Sequence, residues 1–325
     1  MALHDKQLSD VFAEHHIDAE RIWSMVRGEC PVAANLISSD FDADRIDYLL
    51  RTSHHSGVPY GAIDIDYLLT QLRVRGDRIC ITPKAVGAMD HFLLSRFFDY
   101  QQIAFSKAVV GFERCLQALI AEMLAAGQLD LSPTWVRNEI ASGTWALRDE
   151  SWLSAEMREF ALESKDPYIK RMGEAVLQRR QLPLIGECVV VANDTSHFAE
   201  HQHYTQRALS TIAAGAGLDP KSLLMWSTSV RITKVGASIP VSDIMEGSGS
   251  DGIAQLVPVL YEDEDGSQER IVPIVDVDSS LMKLVADASY QAIRVFALVD
   301  ERDRPLRQKL QKLAKQELLF FNNCA

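Results

Sequence analysis

The sequence predicts a mainly α-helical protein that carries a smaller α+β region in its last third. Apolar residues recur at helical spacing through residues 6–56, and residues 85–126 are apolar on nearly every side of a long helix. After Glu187 the period changes, and short apolar runs typical of strands alternate with helical segments. We therefore predict a helical domain over residues 1–184 and a small α+β domain over residues 185–325.

The elements of the helical part follow from apolar spacing and from end signals. A helix is predicted to begin at the Ser38-Ser39-Asp40 cap and to end at Gly57, since these residue types favour the two ends of a helix. The other predictions for this part are a short helix ending at residue 72, a strand over residues 78–81, a long helix over residues 85–126, and amphipathic helices over residues 130–182.

The elements of the α+β part are shorter and are separated by turn residues. Runs rich in Val, Ile and Leu are typical of buried strands, whereas apolar residues three or four apart indicate helices. The predicted strands cover residues 188–191, 229–233, 256–260, 271–275 and 293–299; the predicted helices cover residues 197–214 and 303–319; and an acidic turn covers residues 262–267.

Composition narrows the classes of function. A net charge of -12 argues against a general nucleic-acid binder, because phosphate contacts need clustered Lys and Arg. No run of about 18 apolar residues occurs, so no membrane span is expected. The five cysteines are far apart, odd in number and without a Cys-x-x-Cys pair, and residues 1–6 carry no apolar leader. We therefore expect a cytoplasmic protein.

The most informative segment is residues 38–61. It contains the string Asp44-Arg45-Ile46-Asp47-Tyr48, followed by Arg51, the pair His54-His55 and Gly57. At helical spacing Asp44 and Tyr48 share a face with Arg51, and Asp40 joins them one turn earlier.

This segment resembles the last metal-ligand segment of the HD-domain phosphohydrolases, in particular the dNTP triphosphohydrolase (dGTPase-like) branch. The stretch Ser95-Arg96-Phe97-Phe98 and the downstream Lys107 also resemble that family, and the likeness covers roughly residues 1–182. It implies the C-terminal part of an HD-domain helical fold, followed by the small α+β domain. Thr52 and Ser106 depart from the family's pattern, so altered substrate choice is expected.

The resemblance also implies roles for particular residues. A divalent metal (Mn, Mg, Fe, Ni or Zn) would polarise phosphoryl oxygens, and guanidinium groups would contact phosphate. The implied metal ligand is Asp44; the implied substrate-binding residues are Arg45, Tyr48, Arg51, His54, His55, Arg96 and Lys107; and the implied catalytic residues are His4 and Asp47.

The first His and the His-Asp pair of an HD site do not have obvious counterparts. His4-Asp5 allows three interpretations: the His-Asp ligand pair after an internal deletion, a later His that acts near the phosphate, or a terminal dipeptide without a role. In none of these does this sequence present a complete ligand set.

Two functions follow. The first is a subunit of an HD-family enzyme that converts a dNTP to deoxynucleoside plus triphosphate, with a separate chain, or a homo-oligomer, completing the metal site. The metal would then bind only in the assembled complex. The second is a non-catalytic pseudoenzyme that binds nucleotide or scaffolds a partner.

A rival metal motif lies at residues 197–201, where His197, Glu200 and His201 form a His-x-x-Glu-His pattern with His203 nearby. Two His at i and i+4 on a helix with an adjacent Glu are typical of one class of zinc proteases. An exposed polar helix start is the alternative interpretation.

Overall fold

The protein is mainly helical with a small α+β portion, as predicted. The structure is a computed structural model that describes residues 6–27, 29–30, 35–37, 39–76, 78–232, 257–263 and 268–318. Several predicted residues lie outside these ranges: His4, Asp5, Ser38 of the predicted cap, residues 233 and 256 of two predicted strands, residues 264–267 of the acidic turn, and residue 319 of the predicted C-terminal helix. Among the described helices, none is long and apolar enough to cross a bilayer.

The helices alternate with short connections along the chain. In order they are α1 (Lys6–Glu14), α2 (Ala19–Val26), α3 (Ala43–Ser56), α4 (Ile65–Thr70), α5 (Val86–Asp99), α6 (Lys107–Ala125), α7 (Pro133–Ser142), α8 (Glu150–Glu163), α9 (Pro167–Leu177), α10 (Ser196–Ala216), α11 (Met282–Val285) and α12 (Arg304–Glu317).

Two sheets accompany the helices. Their strands are β1 (Leu72–Arg75), β2 (Arg78–Ile81), β3 (Leu184–Ala192), β4 (Leu223–Arg231), β5 (Pro258–Glu262), β6 (Glu269–Pro273) and β7 (Ser289–Ala297). The first sheet has the order β1-β2-β5-β6, with β2 and β5 parallel, and the second is antiparallel with the order β3-β7-β4. Strand β7 is buried along its whole length because both edges and both faces are covered.

The buried cores join the two predicted parts of the chain. One core packs Leu49 and Phe92 of the helical part against Val259 and Ile274 of the α+β part. Strand β2 likewise pairs with β5 through Ile81 and Val259. The first sheet and this core thus contain residues from both sides of the predicted boundary near residue 184.

Several predicted elements need correction. The long helix predicted over residues 85–126 is divided, because Tyr100–Ala104 forms a π-helix and Ser106 starts a new helix. Phe105 leaves the helical path to stack on Tyr290, with ring centroids 5.7 Å apart. The segment after the short helix is a strand, β1, which pairs with β2 as a hairpin around Gly76.

Candidate functional site

Helix α3 carries the string that the sequence singled out. Its N-cap is Asp42, two residues later than the predicted cap, and the Asp42 carboxylate accepts a hydrogen bond from the Arg45 N–H. The helix ends at Gly57, whose φ of 71° is the left-handed conformation that glycine adopts readily. These ends place Arg45 and Leu49 on the buried face of α3.

A cluster of charged side chains is buried where α3 meets α5. Arg45 Nη1 lies 3.0 Å from Asp40 Oδ1, and Arg45 Nε lies 3.6 Å from Asp42 Oδ2. Arg96, from α5, approaches the same Asp40 oxygen at 3.7 Å. We call Asp40, Asp42, Arg45 and Arg96 the arginine cluster. All four side chains are at most 10% exposed, so their interactions are weakly screened by water.

Tyr48 lies beside this cluster and is half-buried. Burial, with a smaller contribution from the neighbouring Tyr100, raises its pKa to about 12 against the opposing positive charges of Arg96 and Arg45. The phenol therefore stays neutral at physiological pH and can donate a hydrogen bond to an anion. The Arg96 guanidinium also lies over the Tyr100 ring, 5.3 Å from its centroid.

A buried carboxyl accompanies the cluster one turn along α5. Asp99 accepts a hydrogen bond from the Tyr60 hydroxyl at 2.5 Å. Burial raises the pKa of Asp99, although the Tyr60 hydrogen bond acts in the opposite direction. Burial and that same hydrogen bond raise the pKa of Tyr60.

The other predicted residues of α3 lie on its exposed face. Asp47 and Arg51 form an ion pair at 2.8 Å with side chains that are 65% and 61% exposed. Asp44 is exposed, and so are His54 and His55, whose rings meet edge to face. The predicted residues of α3 therefore fall into two groups: the buried Arg45 and half-buried Tyr48, which lie near Arg96 of α5, and an exposed group.

Lys107 is directed toward the antiparallel sheet. Its ammonium lies 2.6 Å from Glu187 of β3, and Arg294 of β7 binds the other oxygen of that carboxylate at 2.9 Å. Burial opposes ionisation of Glu187, but the hydrogen bonds from Lys107 and Arg294 outweigh it and lower its pKa. Arg294 also donates to the Phe105 carbonyl and so fixes the turn between α5 and α6.

The rival metal motif lies on the first turns of α10. His197 Nδ1 is 3.5 Å from Glu200, and the His197 and His201 ring centroids are 6.4 Å apart. His197 and Glu200 are more than 70% exposed. Over the described part of the chain, no three His, Cys, Asp or Glu side chains converge as a metal site would require, and this holds for Asp44 as well.

The sequence did not identify three residues around the arginine cluster, Asp42, Tyr60 and Asp99. From the sequence, Asp40 is assigned to the helix cap and to the face of Asp44, but no role is given to Asp42, which is the observed N-cap. Tyr60 and Asp99 meet across 39 positions in sequence, and no local pattern reports such a contact.

Comparisons with known sequences leave the family open. No protein-family model matches the chain. The uncharacterized protein YwfO of Bacillus subtilis is 41% identical over 71 residues, 22% of this chain. The uncharacterized proteins MJ1154 of Methanocaldococcus jannaschii and MG461 homolog of Mycoplasma pneumoniae are 28% identical over 122 residues and 39% over 72 residues, 36% and 21% of this chain. The matches span 16%, 27% and 17% of those three relatives.

Solved structures share the fold over most of the chain. A phosphohydrolase from Bacteroides thetaiotaomicron aligns with a TM-score of 0.58 at 18% identity, covering 89% of this chain and 70% of that one. A hypothetical protein from Aquifex aeolicus aligns with a TM-score of 0.65 at 18% identity, covering 97% and 70%. The chain thus has a fold that is also found in a phosphohydrolase.

Proposed function

We propose that this chain is a subunit of an HD-family phosphohydrolase whose substrate is a nucleotide, most specifically a dNTP that is split into deoxynucleoside and triphosphate. The observation that carries the proposal is the buried arginine cluster beside Tyr48, in a fold shared with a solved phosphohydrolase. Buried guanidinium groups suit phosphate because their fork matches two oxygens at once.

In this proposal Arg45 and Arg96 hold the phosphate chain, and the neutral Tyr48 hydroxyl donates a further hydrogen bond to it. Asp40 positions both guanidinium groups, since a single carboxylate oxygen lies within 4 Å of each. The cluster is therefore preorganised, and binding an anion does not require the long Arg side chains to be ordered first.

The described residues do not by themselves fit a divalent metal. Asp44 supplies one carboxylate, and no other His, Cys, Asp or Glu pair of the described chain joins it. We propose that a separate chain carrying the missing HD helices supplies the other ligands. Helices α1 and α2 offer a surface for such a chain, because Val11, Trp23 and Val26 are 39–55% exposed and α2 buries no residue.

The test compares the purified chain alone and mixed with a candidate partner chain, with metal content and dNTP turnover as readouts. Turnover is expected only in the mixture, and Asp44→Ala is expected to lower both bound metal and turnover at least 100-fold, the scale of a lost ligand (~3 kcal/mol). Asp66→Ala removes another exposed carboxylate and serves as the matched control. Equal turnover in the Asp44→Ala mixture would refute the proposal.

A non-catalytic binding subunit is the second candidate. It is favoured by the ion pairs that already engage the predicted phosphate contacts: Asp40 and Asp42 bind Arg45, and Arg51 binds Asp47. This alternative predicts nucleotide binding that is unchanged by Asp44→Ala, without turnover in any mixture.

A further inference from the structure

A surface cavity of about 620 Å³, wide open to solvent, lies where α5 meets the start of α10 and the end of β4. Its volume falls within the range of about 300–1,000 Å³ that is usual for small-ligand sites. The lining residues are Arg96, Thr195, Phe198, Ala199, Ser229, Val230 and Arg231. The cavity therefore combines one residue of the arginine cluster with residues of the α+β part that the resemblance did not address.

Arg96 brings an unsatisfied buried cation to this cavity. The residue is 8% exposed, and its Nε and Nη1 atoms are buried without a hydrogen-bond partner. Its contact with Asp40 is a long 3.7 Å, whereas Arg45 holds the same carboxylate oxygen at 3.0 Å. An unpaired buried donor is costly. Both nitrogen atoms are closed to solvent, so an acceptor in the cavity would reach them only after the Arg96 side chain turns toward it, and it would then recover a hydrogen bond and a favourable charge interaction together.

The start of α10 adds a second feature that favours an anion. The helix has 21 residues, and the side chain of its N-cap, Thr195, makes no capping hydrogen bond. Asp194 already accepts hydrogen bonds from the N–H and hydroxyl of Ser196, so its carboxylate offsets part of the positive charge of this helix end. The partial positive charge of a helix N-terminus acts within its first turn, where Phe198 and Ala199 line the cavity.

Arg231 supplies a second cation to the lining of the cavity. It is the last residue of β4 and is exposed, and among the described residues none forms an ion pair with it. Ser229, two residues earlier on the same side of the strand, adds a hydroxyl to the lining. Two guanidinium groups thus border one space from different parts of the fold.

We propose that this cavity binds the phosphate chain of the nucleotide, with Arg96 contacting it from α5 and Arg231 from β4. The inference rests on the proposed function for the identity of the anion. It adds that the α+β region contributes directly to substrate binding. Two guanidinium groups that border one cavity would favour a phosphate chain over a single phosphate.

The experiment measures binding by isothermal titration calorimetry on the full chain, without metal and without a partner, using inorganic triphosphate, orthophosphate and a dNTP as separate probes. Triphosphate and the dNTP are expected to bind and orthophosphate to bind at least tenfold more weakly. Arg231→Gln is expected to weaken triphosphate binding about tenfold or more, the effect of losing a charged hydrogen bond. Arg231→Lys should restore part of that loss.

Arg207→Gln is the matched control, because it removes the same charge from an exposed position of α10 that does not line the cavity. If Arg207→Gln and Arg231→Gln weaken triphosphate binding equally, the effect comes from long-range charge and the proposal is overturned. Unchanged triphosphate binding in Arg231→Gln would also overturn it. Arg96→Gln is also measured, with a thermal melt to establish that the variant is folded.

The two assays distinguish a failure of the proposed reaction from a failure of the proposed binding site. Triphosphate binding that depends on Arg231 would support the cavity even if no partner mixture hydrolysed a dNTP. Turnover that is unaffected by Arg231→Gln, with no binding difference between the variants, would retain the proposed reaction and refute the role of the cavity.

Discussion

The substitution Asp40→Asn tests whether the arginine cluster is held together by its shared carboxylate. The change keeps the shape of the side chain and one acceptor oxygen but removes the negative charge. Two guanidinium groups, on side chains 8% and 10% exposed, would then lose the anion that both approach. Asp42 would still lie 3.6 Å from Arg45, but its contact does not extend to Arg96.

The magnitude follows from burial and distance. At an effective dielectric constant of about 20, charges 3.0 Å apart attract by about 5 kcal/mol, and desolvation offsets part of this gain. Removing one partner of a buried ion pair costs about 3–5 kcal/mol, because the remaining charge is left uncompensated. We expect Asp40→Asn to lie near the lower value, about 3 kcal/mol, since the amide oxygen can still accept a hydrogen bond.

Equilibrium urea unfolding followed by tryptophan fluorescence and circular dichroism measures this effect. With a slope of about 3 kcal/mol/M, the midpoint should fall by about 1 M. The matched control is Asp47→Asn on the same helix, whose pair with Arg51 is 2.8 Å long but more than 60% exposed. That pair should contribute less than about 1 kcal/mol. Equal losses in the two variants would refute the argument that burial, rather than distance, sets the cost.

Two further predictions concern the surroundings of the cluster. Burial raises the pKa of Asp99 above its ordinary 3.8, so this group favours the folded state in acid and that contribution is lost as pH rises through the raised pKa. As the pH rises from about 4 through the raised pKa, the unfolding free energy of Asp99→Asn should therefore rise relative to the wild type; a parallel pH dependence would contradict this. Gly61→Ala should destabilise the fold by about 1–3 kcal/mol, because the new Cβ would lie 2.4 Å from Ser53 Cβ and 2.8 Å from the Leu49 carbonyl oxygen. Gly87→Ala, where the new Cβ meets nothing within 4 Å, should be neutral or stabilising in thermal melts, and equal losses at both glycines would show that crowding is not the cause.

The sequence was sufficient for elements that depend on local signals. Helix α3 ends at Gly57 as predicted, and the strands β3, β4, β5, β6 and β7 each overlap a predicted run. The mainly helical class with a small α+β part is confirmed, because hydrophobic period and end residues are properties of neighbouring positions.

Features that depend on distant contacts were not predictable in this way. The helix after Pro83 breaks near residue 105 because Phe105 packs between Tyr290 and Trp226, which lie more than 100 positions away. The parallel pairing of β2 with β5 joins residues 81 and 259. The spacing of apolar residues along the chain does not report either contact.

The orientation of α3 shows the same limit within the candidate site. Helical spacing places Asp44, Tyr48 and Arg51 on one side of α3, but it does not decide which side of the helix is buried. The structure buries Arg45 and Leu49, and it leaves Asp44 and Arg51 exposed, because Leu49 packs into the core that includes α5 and the parallel strand pair. The placement of Asp44 as a metal ligand thus remains a prediction about an assembled site.

The arginine cluster is a weak means of stabilising a fold, and this bears on its role. Apolar side chains of similar volume commonly replace buried ion pairs without loss of stability. Here the arrangement is costlier still, because Arg96 keeps two buried nitrogen atoms without hydrogen-bond partners. An anion in the adjoining cavity would remove that cost only when bound, so the free energy would contribute to binding rather than to folding. The same atoms that make the cluster a poor structural device are therefore the ones that suit it to the phosphate-binding role that we propose.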